Sequence, residues 1–264
     1  MADLVLIDDP DDPRFRQFRL NERGLASRPQ KRDDAGAGLF FAEGDLVIER
    51  AVSAGCVPVA ALVDADDVPE LAGRLGCTVY AGGIELRRVV TGLGYPHRIV
   101  ALFERPARPG VAELAAVAER LVVLEAVDNP ANVGSIIRNA AAFGWDGLLL
   151  DHTSADPLAR RSLRVAMGTA FALPHARTRE LAAELGRLSG DFALYAMTPA
   201  PDAMPIDEVS PPARAAVLIG SERAGLSDAL LALATPVRIP MAAGVDSLNA
   251  AAATAVACFA LRRR

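Results

Sequence analysis

The amino-acid sequence predicts an α/β protein of two domains, the second built on a mostly parallel sheet with helices on both faces. Residues 14–105 alternate short strand-like runs with helical segments. A stretch rich in proline and glycine follows, in which a helix cannot continue. From residue 120 onward, wholly apolar strands alternate regularly with helices. That alternation is typical of a parallel sheet that is buried on both sides.

The first domain is predicted over residues 14–105 as a small α/β unit, with residues 106–119 as a linker. Short apolar runs predict strands at 39–41, 59–63, 78–80 and 99–103. Helical periodicity predicts the intervening segments 44–54, 68–75 and 84–90. A further helical stretch, 111–119, either belongs to the linker or opens the second domain.

The second domain is predicted over residues 120–264. Apolar runs predict its strands at 121–127, 148–151, 173–176, 192–197, 215–219 and 237–239. Helical patterns between and after them lie at 133–143, 158–169, 179–188, 228–233 and 247–262. The last helix is small or apolar on nearly every side, which indicates burial in a core or against a partner.

The composition is that of a protein with a sizeable core and no membrane span. The 264 residues are 52% hydrophobic, but no apolar stretch reaches the roughly 20 residues that a spanning helix needs. The first residues are acidic, which excludes a secretory signal. Three cysteines without metal-ligand spacing suit a reducing compartment. We therefore expect a cytoplasmic protein with no membrane partner.

The net charge of −5 argues mildly against nucleic-acid binding, but the charge is unevenly distributed. Residues 14–32 carry seven basic side chains against one acid, Glu22, a local charge of +6. Two interpretations remain open for this cluster, a solvated helix face and an RNA contact. The high content of Ala and Arg is typical of a GC-rich genome. The candidate RNA-binding residues here are Arg14, Arg16, Arg19, Arg23, Arg28, Lys31 and Arg32.

Several common sites are excluded by their missing motifs. No Gly-x-Gly-x-x-Gly follows a strand, which excludes a dinucleotide fold and the glycine-rich loop of the usual methyltransferases. Residues 220–225 have the glycine spacing of a phosphate loop, but the required Lys-Ser/Thr does not follow them. His97, His152 and His175 lie far apart and are expected as surface or packing residues, so no metal is expected.

Three unusual segments each follow a predicted strand, where α/β sheets place their ligands. In the first, residues 128–144, Asn132 is a candidate helix N-cap and Arg138 lies about 9 Å further along the helix. In the second, residues 218–227, Glu222 follows a buried strand between glycines, which is a poor choice for stability and a plausible one for a ligand site. The third, residues 239–249, precedes the last helix, for which Ser247 or Asp246 is the expected N-cap.

In this order, the three segments resemble the motifs of the SpoU/TrmH family of RNA ribose 2′-O-methyltransferases, within the SPOUT superfamily. The likeness spans roughly residues 120–264 and rests on Asn132, Arg138, Ala140 and Gly144, on Gly220, Glu222, Gly225, Leu226 and Ser227, and on Ile239, Pro240, Met241, Ser247, Leu248 and Asn249. One position departs from the pattern: Arg223 stands where the family usually has Gly, and it could add a phosphate contact or tighten the loop. More weakly, residues 41–44 resemble the start of the ribosomal-protein-like substrate-binding domain that often precedes this family's catalytic domain.

The resemblance implies features that the sequence pattern alone does not. The C-terminal segment would thread a loop to form a trefoil knot, although knots are near absent among folds in general. S-adenosylmethionine would bind in the knotted loops, and a homodimer would complete the active site across its interface. The implied cofactor-binding residues are Met197, Thr198, Ile219, Gly220, Ile239, Met241 and Leu248.

The implied reaction is methyl transfer to a ribose 2′-hydroxyl. In this family Arg138 is the usual candidate base, but a guanidinium has a pKa above about 12 and is effectively always charged. Our hypothesis is therefore that Arg138 clamps a phosphate and stabilises the developing alkoxide while water takes the proton. The residues expected to order ribose, loops and cofactor around it are Asn132, Glu222, Ser247 and Asn249.

The extra N-terminal domain favours ribosomal RNA as substrate. The motifs also permit a tRNA-modifying enzyme and antibiotic self-resistance methylation of the ribosome. A protein of another class, a catalytically idle RNA-binding dimer, is disfavoured by the presence of all five motif residues. Binding of S-adenosylhomocysteine would distinguish an enzyme from such a scaffold.

Overall fold

The structure, a computed structural model, describes residues 4–33, 36–210 and 212–263. The chain forms two compact units, Met1–Ala107 with Leu158–Phe171, and Arg108–Pro157 with Ala172–Arg264. The first of the changes from one unit to the other falls between Ala107 and Arg108. The segment predicted as a helix of the second domain, 158–169, lies instead in the first unit. No helix of the described residues is long and apolar enough to cross a bilayer.

The first unit contains a mixed five-stranded sheet in the order β1-β4-β3-β5-β2. Its strands are β1 (Leu4–Leu6), β2 (Leu39–Glu43), β3 (Pro58–Asp64), β4 (Thr78–Gly82) and β5 (Ile99–Glu104). Its α-helices are α1 (Glu22–Leu25), α2 (Arg28–Arg32), α3 (Asp45–Ser53), α4 (Ile84–Thr91) and, from the later segment, α7 (Arg160–Val165). Short 3₁₀ turns lie at Pro13–Phe15, Glu70–Arg74 and Thr169–Phe171.

The segment Leu158–Phe171 is held in the first unit by charge and by an aromatic ring. The guanidinium of Arg160 forms an ion pair with the buried Glu43 and lies 4.3 Å from the centre of the Phe41 ring. The backbone N–H of Arg160 donates to Oε1 of Glu22 at 2.8 Å. These partners are more than 100 residues earlier in the chain, so the regular alternation of strands and helices around the segment gave no sign of its place in the first unit.

The second unit contains a seven-stranded sheet in the order β10-β12-β9-β11-β6-β7-β8, with every neighbouring pair parallel. Its strands are β6 (Arg120–Leu124), β7 (Gly147–Leu150), β8 (His175–Arg177), β9 (Ala193–Met197), β10 (Met204–Pro205), β11 (Ala215–Ile219) and β12 (Thr235–Arg238). Its helices are α5 (Val111–Val117), α6 (Pro130–Ala142), α8 (Leu181–Leu188), α9 (Asp228–Leu231) and α10 (Ala250–Ala260), with a 3₁₀ turn at Ile206–Glu208. The predicted mostly parallel α/β fold is confirmed.

The strand order places the three motif segments near one another. The chain adds β7 and β8 on one side of β6, and β11 and β9 on the other. Because the strands are parallel, the loops that follow β6, β11 and β12 leave the same edge of the sheet. Such a reversal of strand order is where open α/β sheets form a ligand crevice.

Backbone carbonyls near both ends of α10 accept hydrogen bonds, from β6 at one end and from α6 at the other. The buried Arg120 side chain donates to the carbonyls of Leu261 at 2.8 Å, Pro212 at 2.9 Å and Ala213 at 2.6 Å. Near the other end of the helix, Asn139 Nδ2 donates to the Ala251 carbonyl at 2.9 Å. These bonds hold the start of α10, and therefore the loop before it, in one position.

Candidate active site

The first motif segment begins its helix three residues earlier than the sequence predicts. Asn129, and not Asn132, is the N-cap of α6, and its Oδ1 accepts from the Ala131 N–H at 2.9 Å. Pro130 follows at the first helical position, where its fixed φ favours the helix and its missing N–H costs nothing. Asn132 is thereby released from capping, and its side chain is buried with 8% of its surface exposed.

The second motif segment is a closed turn at the end of β11. Ser221 and Gly225 exchange two backbone hydrogen bonds, of 3.2 and 2.9 Å, and the Ala224 N–H donates to Ser221 Oγ at 3.1 Å. Gly225 has a φ of +69°, which favours glycine. Arg223 is outside the left-handed region, so the non-glycine residue fits this turn without backbone strain. The turn presents Glu222 and Arg223 at its tip.

The turn is closely packed at its beginning and hydrogen-bonded to a neighbouring loop at its end. A Cβ added to Gly220 would overlap the backbone of Gly225 and Leu226. After the turn, Ser227 donates both its N–H and its Oγ–H to the Glu125 carboxylate, each at 2.7 Å. Glu125 directly follows β6, so this pair joins the loops of two neighbouring strands.

The third motif segment, 239–249, is an extended loop that ends at α10. Asn249 is the N-cap, and its Oδ1 accepts from the N–H groups of Ala251 at 2.9 Å and Ala252 at 3.3 Å. The predicted start of this helix at Ser247 is wrong, because residues 247 and 248 are not helical. The Asn249 side chain has a second group, its Nδ2, that faces the other two motif segments.

Three side chains, one from each segment, form a hydrogen-bonded triangle. Glu222 Oε1 accepts from Asn132 Nδ2 at 2.8 Å and from Asn249 Nδ2 at 2.7 Å. Asn249 Nδ2 also lies 3.1 Å from Asn132 Oδ1. We call Asn132, Glu222 and Asn249 the polar triangle. Glu222 and Asn249 follow Asn132 by 90 and 117 residues in the sequence. The expected convergence of the three loops therefore depends on the tertiary structure.

A cavity of about 540 Å³ lies against the polar triangle. It is lined by every residue that the family resemblance implies for the cofactor, namely Met197, Thr198, Ile219, Gly220, Ile239, Met241 and Leu248. Glu222, Ser247 and Asn249 line it as well. The volume is within the range of about 300–1,000 Å³ that is usual for small-molecule sites. The cavity is therefore large enough for a cofactor of nucleoside size.

The profile of the SpoU rRNA Methylase family matches residues 119–259, more than half of the chain and all three motif segments. The chain belongs to the SpoU rRNA methylase family. It is therefore a methyltransferase that acts on RNA.

Relatives of this SpoU protein match along most of its length. An uncharacterized tRNA/rRNA methyltransferase of Mycobacterium bovis is 37% identical over 97% of this chain and 91% of its own. The 23S rRNA (guanosine(2553)-2′-O)-methyltransferase RlmP of Bacillus subtilis is 28% identical over 88% of this chain and 92% of its own. Among solved structures, the SpoU methyltransferase AviRb of Streptomyces viridochromogenes, in complex with AdoMet, has a TM-score of 0.78 and 28% identity, covering 95% of this chain and 97% of that one.

Two residues named in the sequence analysis stand apart from the polar triangle. Arg138 is exposed on α6, does not line the cavity, and makes no hydrogen bond or ion pair with any residue that the structure describes. Ser247 lines the cavity, but its side chain has no hydrogen-bond partner among the described residues. Within one SpoU chain, the geometry thus leaves Arg138 available for a group that the chain does not contain.

The basic N-terminal segment lies in the first unit and is partly neutralised by neighbouring acids. Phe15 and Phe18 are buried against the sheet, and the arginines between and after them face solvent. Arg14 pairs with Asp12 at 2.6 Å, Arg19 with Asp11 at 3.0 Å and Lys31 with Glu22 at 3.3 Å. Arg16, Arg23 and Arg28 are exposed. Both interpretations of this cluster, a solvated face and an RNA contact, remain predictions.

Sequence reasoning missed Asp151, which orders the first motif segment from the end of β7. Its carboxylate accepts from the N–H groups of Thr153 at 3.0 Å and Ser154 at 2.8 Å, and from both hydroxyls. Ser154 Oγ in turn accepts from the Val127 N–H at 3.0 Å. The predicted strands 121–127 and 148–151 included Glu125 and Asp151, whereas β6 ends at Leu124 and β7 at Leu150. With the strand ends placed correctly, both carboxylates would have carried the same signal as Glu222, a carboxylate beyond a buried strand.

Replacing Asp151 with asparagine is expected to lower the free energy of unfolding by about 1 kcal/mol at pH 7, after allowance for partial exposure. Burial would raise the pKa of this carboxyl, but the hydrogen bonds from Ser154 and Thr153 outweigh it, so its pKa lies below the ordinary 3.8. Because the pKa of Asp151 is lower in the folded protein, its carboxylate contributes fully to the free energy of unfolding above the ordinary pKa. That contribution is lost as the pH falls through the pKa of the folded state.

Urea unfolding of the wild type and Asp151→Asn at pH 7, 5 and 4 measures this effect. The difference in the free energy of unfolding between the two proteins should persist at pH 7 and 5. It should begin to narrow only as the pH approaches the ordinary pKa of an aspartate. Asp202→Asn is the matched control, because Asp202 is exposed and has no hydrogen-bond partner in the described ranges. A difference that grows on acidification would contradict the assigned direction of the pKa.

Proposed function

We propose that this protein transfers a methyl group from S-adenosylmethionine to a ribose 2′-hydroxyl in structured RNA, with ribosomal RNA as the substrate. The observation that carries the proposal is the polar triangle beside a cavity at the carboxyl edge of the parallel sheet. Ribose 2′-O specificity is supported by RlmP. It is also supported by the 23S rRNA (uridine(2479)-2′-O)-methyltransferase of Streptomyces viridochromogenes, 35% identical over 64% of this chain and 61% of its own.

The cavity residues fit this methyl donor. Apolar walls from Ile219, Ile239 and Leu248 suit an adenine ring, and Thr198 with the adjacent loop backbone offers donors and acceptors for its edge. The AviRb complex with AdoMet supports the same assignment. When bound, S-adenosylmethionine supplies an electrophilic methyl group on a sulfonium. The protein's contribution is alignment, and held geometry can lower a barrier by about 7–11 kcal/mol.

The polar triangle fixes the three cavity loops before any ligand arrives. Both asparagine amides donate to the one Glu222 oxygen, and Asn249 simultaneously caps α10. The loops therefore need little reorganisation on binding, which reduces the entropic cost of holding donor and ribose in register. Ser247 lines the cavity, and its hydroxyl has no partner among the described residues, so in this proposal it contacts the ribose or the donor.

Arg138 acts in this proposal as a charged clamp on the RNA. Its guanidinium can donate in fork geometry to a phosphate next to the target ribose. The same charge stabilises negative charge that develops on the 2′-oxygen as water removes the proton. Arg138 has no competing partner among the described residues, so no ion pair must break when RNA binds.

Arg138 and the cavity are brought together in this proposal by a homodimer. Helices α6 and α10 pack together and share an exposed apolar surface, on which Val256 is 38% and Phe259 52% exposed. The rings of Phe143 and Phe259 meet there at 5.7 Å. Arg138 lies one turn before Ala142 on α6, beside the ridge that carries Asn139 and Phe143. A dimer through this surface would place Arg138 at the edge of the interface.

Phe259→Glu is expected to convert the protein from dimer to monomer, because it places a charge on an apolar contact surface. Sedimentation velocity at micromolar concentration measures the change, and circular dichroism checks that the fold is retained. Val117→Glu is the control, since Val117 is exposed on α5 outside this surface. A wild-type protein that sediments as a monomer would contradict the dimer proposal.

Two experiments test the proposed function. Calorimetry with S-adenosylhomocysteine should give one binding site per chain; an idle RNA-binding scaffold need not bind it. Mapping ribose methylation in ribosomal RNA and tRNA from cells lacking the protein should reveal one missing 2′-O-methyl group, restored by the wild type and not by Arg138→Ala. A missing group in tRNA would assign the enzyme to tRNA, and no missing group would refute the proposal. A cytoplasmic location is part of this proposal, because these RNAs are its substrates.

A further inference from the structure

The charges that line the cavity are two adjacent side chains of opposite sign. Among the described lining residues, Glu222 is the only carboxylate and Arg223 the only cation. The remaining lining side chains are apolar or neutral, including Met197, Thr198 and Leu248. Any charged part of a ligand in this cavity therefore meets one of these two groups.

Of the two charged side chains that line the cavity in the described residues, Arg223 is the one with no partner in the chain. Glu222 Oε1 already accepts hydrogen bonds from Asn132 and Asn249. Arg223 is exposed and makes no hydrogen bond or ion pair with any part of the chain that the structure describes. The Ser221–Gly225 hydrogen bonds hold the turn closed beneath it, so the guanidinium is presented from a rigid base at the cavity wall.

We propose that Arg223 binds the carboxylate of the amino-acid part of the methyl donor, and so determines affinity for the amino-acid end of that ligand. The inference rests on the proposed function, since it takes S-adenosylmethionine as the donor. That donor carries one carboxylate, and a guanidinium fork matches a carboxylate in two parallel hydrogen bonds. No other cation lines the cavity within the described residues. The opposing assignment, a phosphate of the RNA, is an outcome of the test.

The test combines loss of the guanidinium from the protein with loss of the carboxylate from the ligand. Calorimetry compares S-adenosylhomocysteine with its decarboxylated analogue, which keeps the amine and lacks only the carboxylate. The proteins are the wild type, Arg223→Gln, Arg223→Lys and the control Arg187→Gln. Arg187 is an exposed arginine on α8, paired with Glu184, and does not line the cavity. No activity measurement enters this comparison.

Arg223→Gln is expected to weaken binding of S-adenosylhomocysteine by about fivefold to tenfold, the size of a partly solvent-screened charged contact. The same variant should bind the decarboxylated analogue within about twofold of the wild type. The affinity of Arg223→Lys for S-adenosylhomocysteine should lie between those of the wild type and Arg223→Gln. Arg187→Gln should leave both affinities unchanged. This pattern isolates the contact between the guanidinium and the carboxylate.

Two patterns would overturn the inference while leaving the proposed function intact. Equal weakening of both ligands would mean that Arg223 only shapes the turn. Unchanged affinity for both ligands, with weaker binding of RNA by Arg223→Gln, would assign the residue to an RNA phosphate. If the wild type bound neither ligand, the proposed donor itself would be wrong, so the two failures are distinguishable.

Discussion

Arg138→Ala is expected to lower kcat by about 10²–10³, the usual cost of removing a group that stabilises charge in a transition state. Affinity for S-adenosylhomocysteine should stay within about twofold of the wild type, because Arg138 does not line the cavity. Steady-state methylation of the mapped RNA at saturating substrate, together with calorimetry, measures both quantities. Unchanged kcat would remove Arg138 from the mechanism.

Arg138→Lys separates the two roles that the residue could have. A clamp needs positive charge, so lysine should retain partial activity with a pH profile like that of the wild type, reduced because the fork geometry is lost. A base needs a titrating guanidinium, and the lysine variant would then be inactive at every pH. Retained activity with an unchanged profile would exclude the base role.

Mixing two inactive variants tests whether Arg138 serves its own chain or the other subunit. If Arg138 of one subunit completes the cavity of the other, a random dimer mixture of Arg138→Ala with Glu222→Gln should recover about a quarter of wild-type activity, because half of the dimers regain one of two sites. If Arg138 serves its own chain, no mixed dimer has an intact site and activity stays absent. Phe259→Glu in both variants should abolish the recovery.

Gly220→Ala is expected to destabilise the second unit by about 3 kcal/mol or more, and to weaken binding of S-adenosylhomocysteine by about 100-fold or more. The added Cβ would overlap the backbone of Gly225 and Leu226, and no side-chain rotation can relieve an overlap with backbone. The turn must therefore open, which moves Glu222 away from Asn132 and Asn249. Thermal unfolding and calorimetry measure the two effects.

Gly190→Ala is the matched control for this change. A Cβ at Gly190 meets nothing within 4 Å, and Gly190 has no positive φ. The Gly190→Ala protein should therefore have the same stability and the same affinity for S-adenosylhomocysteine as the wild type. If Gly220→Ala behaved like Gly190→Ala, the close approach of the two strands of the turn would not exist in solution.

Much of the second unit could be predicted from the sequence because its signals are local. A strand buried on both faces must be apolar along its length, as in β11, where all five residues are buried. Glycine and asparagine at strand ends indicate turns and caps for reasons that concern only neighbouring residues. The strands β10 and β1 were not predicted, because runs of two and three residues are too short to show a period.

The cap positions show where local reasoning failed. Asn129 and Asn132 are both good N-cap residues, and so are Ser247 and Asn249. Pro130 favours the earlier start of α6, but no neighbouring residue favours Asn249 over Ser247. At both helix starts the observed cap leaves a side-chain amide for the distant Glu222, whose carboxylate accepts from Asn132 and Asn249.

The residue types needed for the site were thus readable along the chain: a carboxylate after β11, asparagines before α10 and in α6, and an arginine on α6. Their juxtaposition was not, because hydrogen bonds between Asn132, Glu222 and Asn249 depend on a strand order that places β6 beside β11. The position of Leu158–Phe171 in the first unit depends in the same way on Glu43 and Phe41, more than 110 residues earlier. Short-range sterics and burial act within a few residues and leave a periodic trace, whereas contacts between distant segments leave none until the chain has folded.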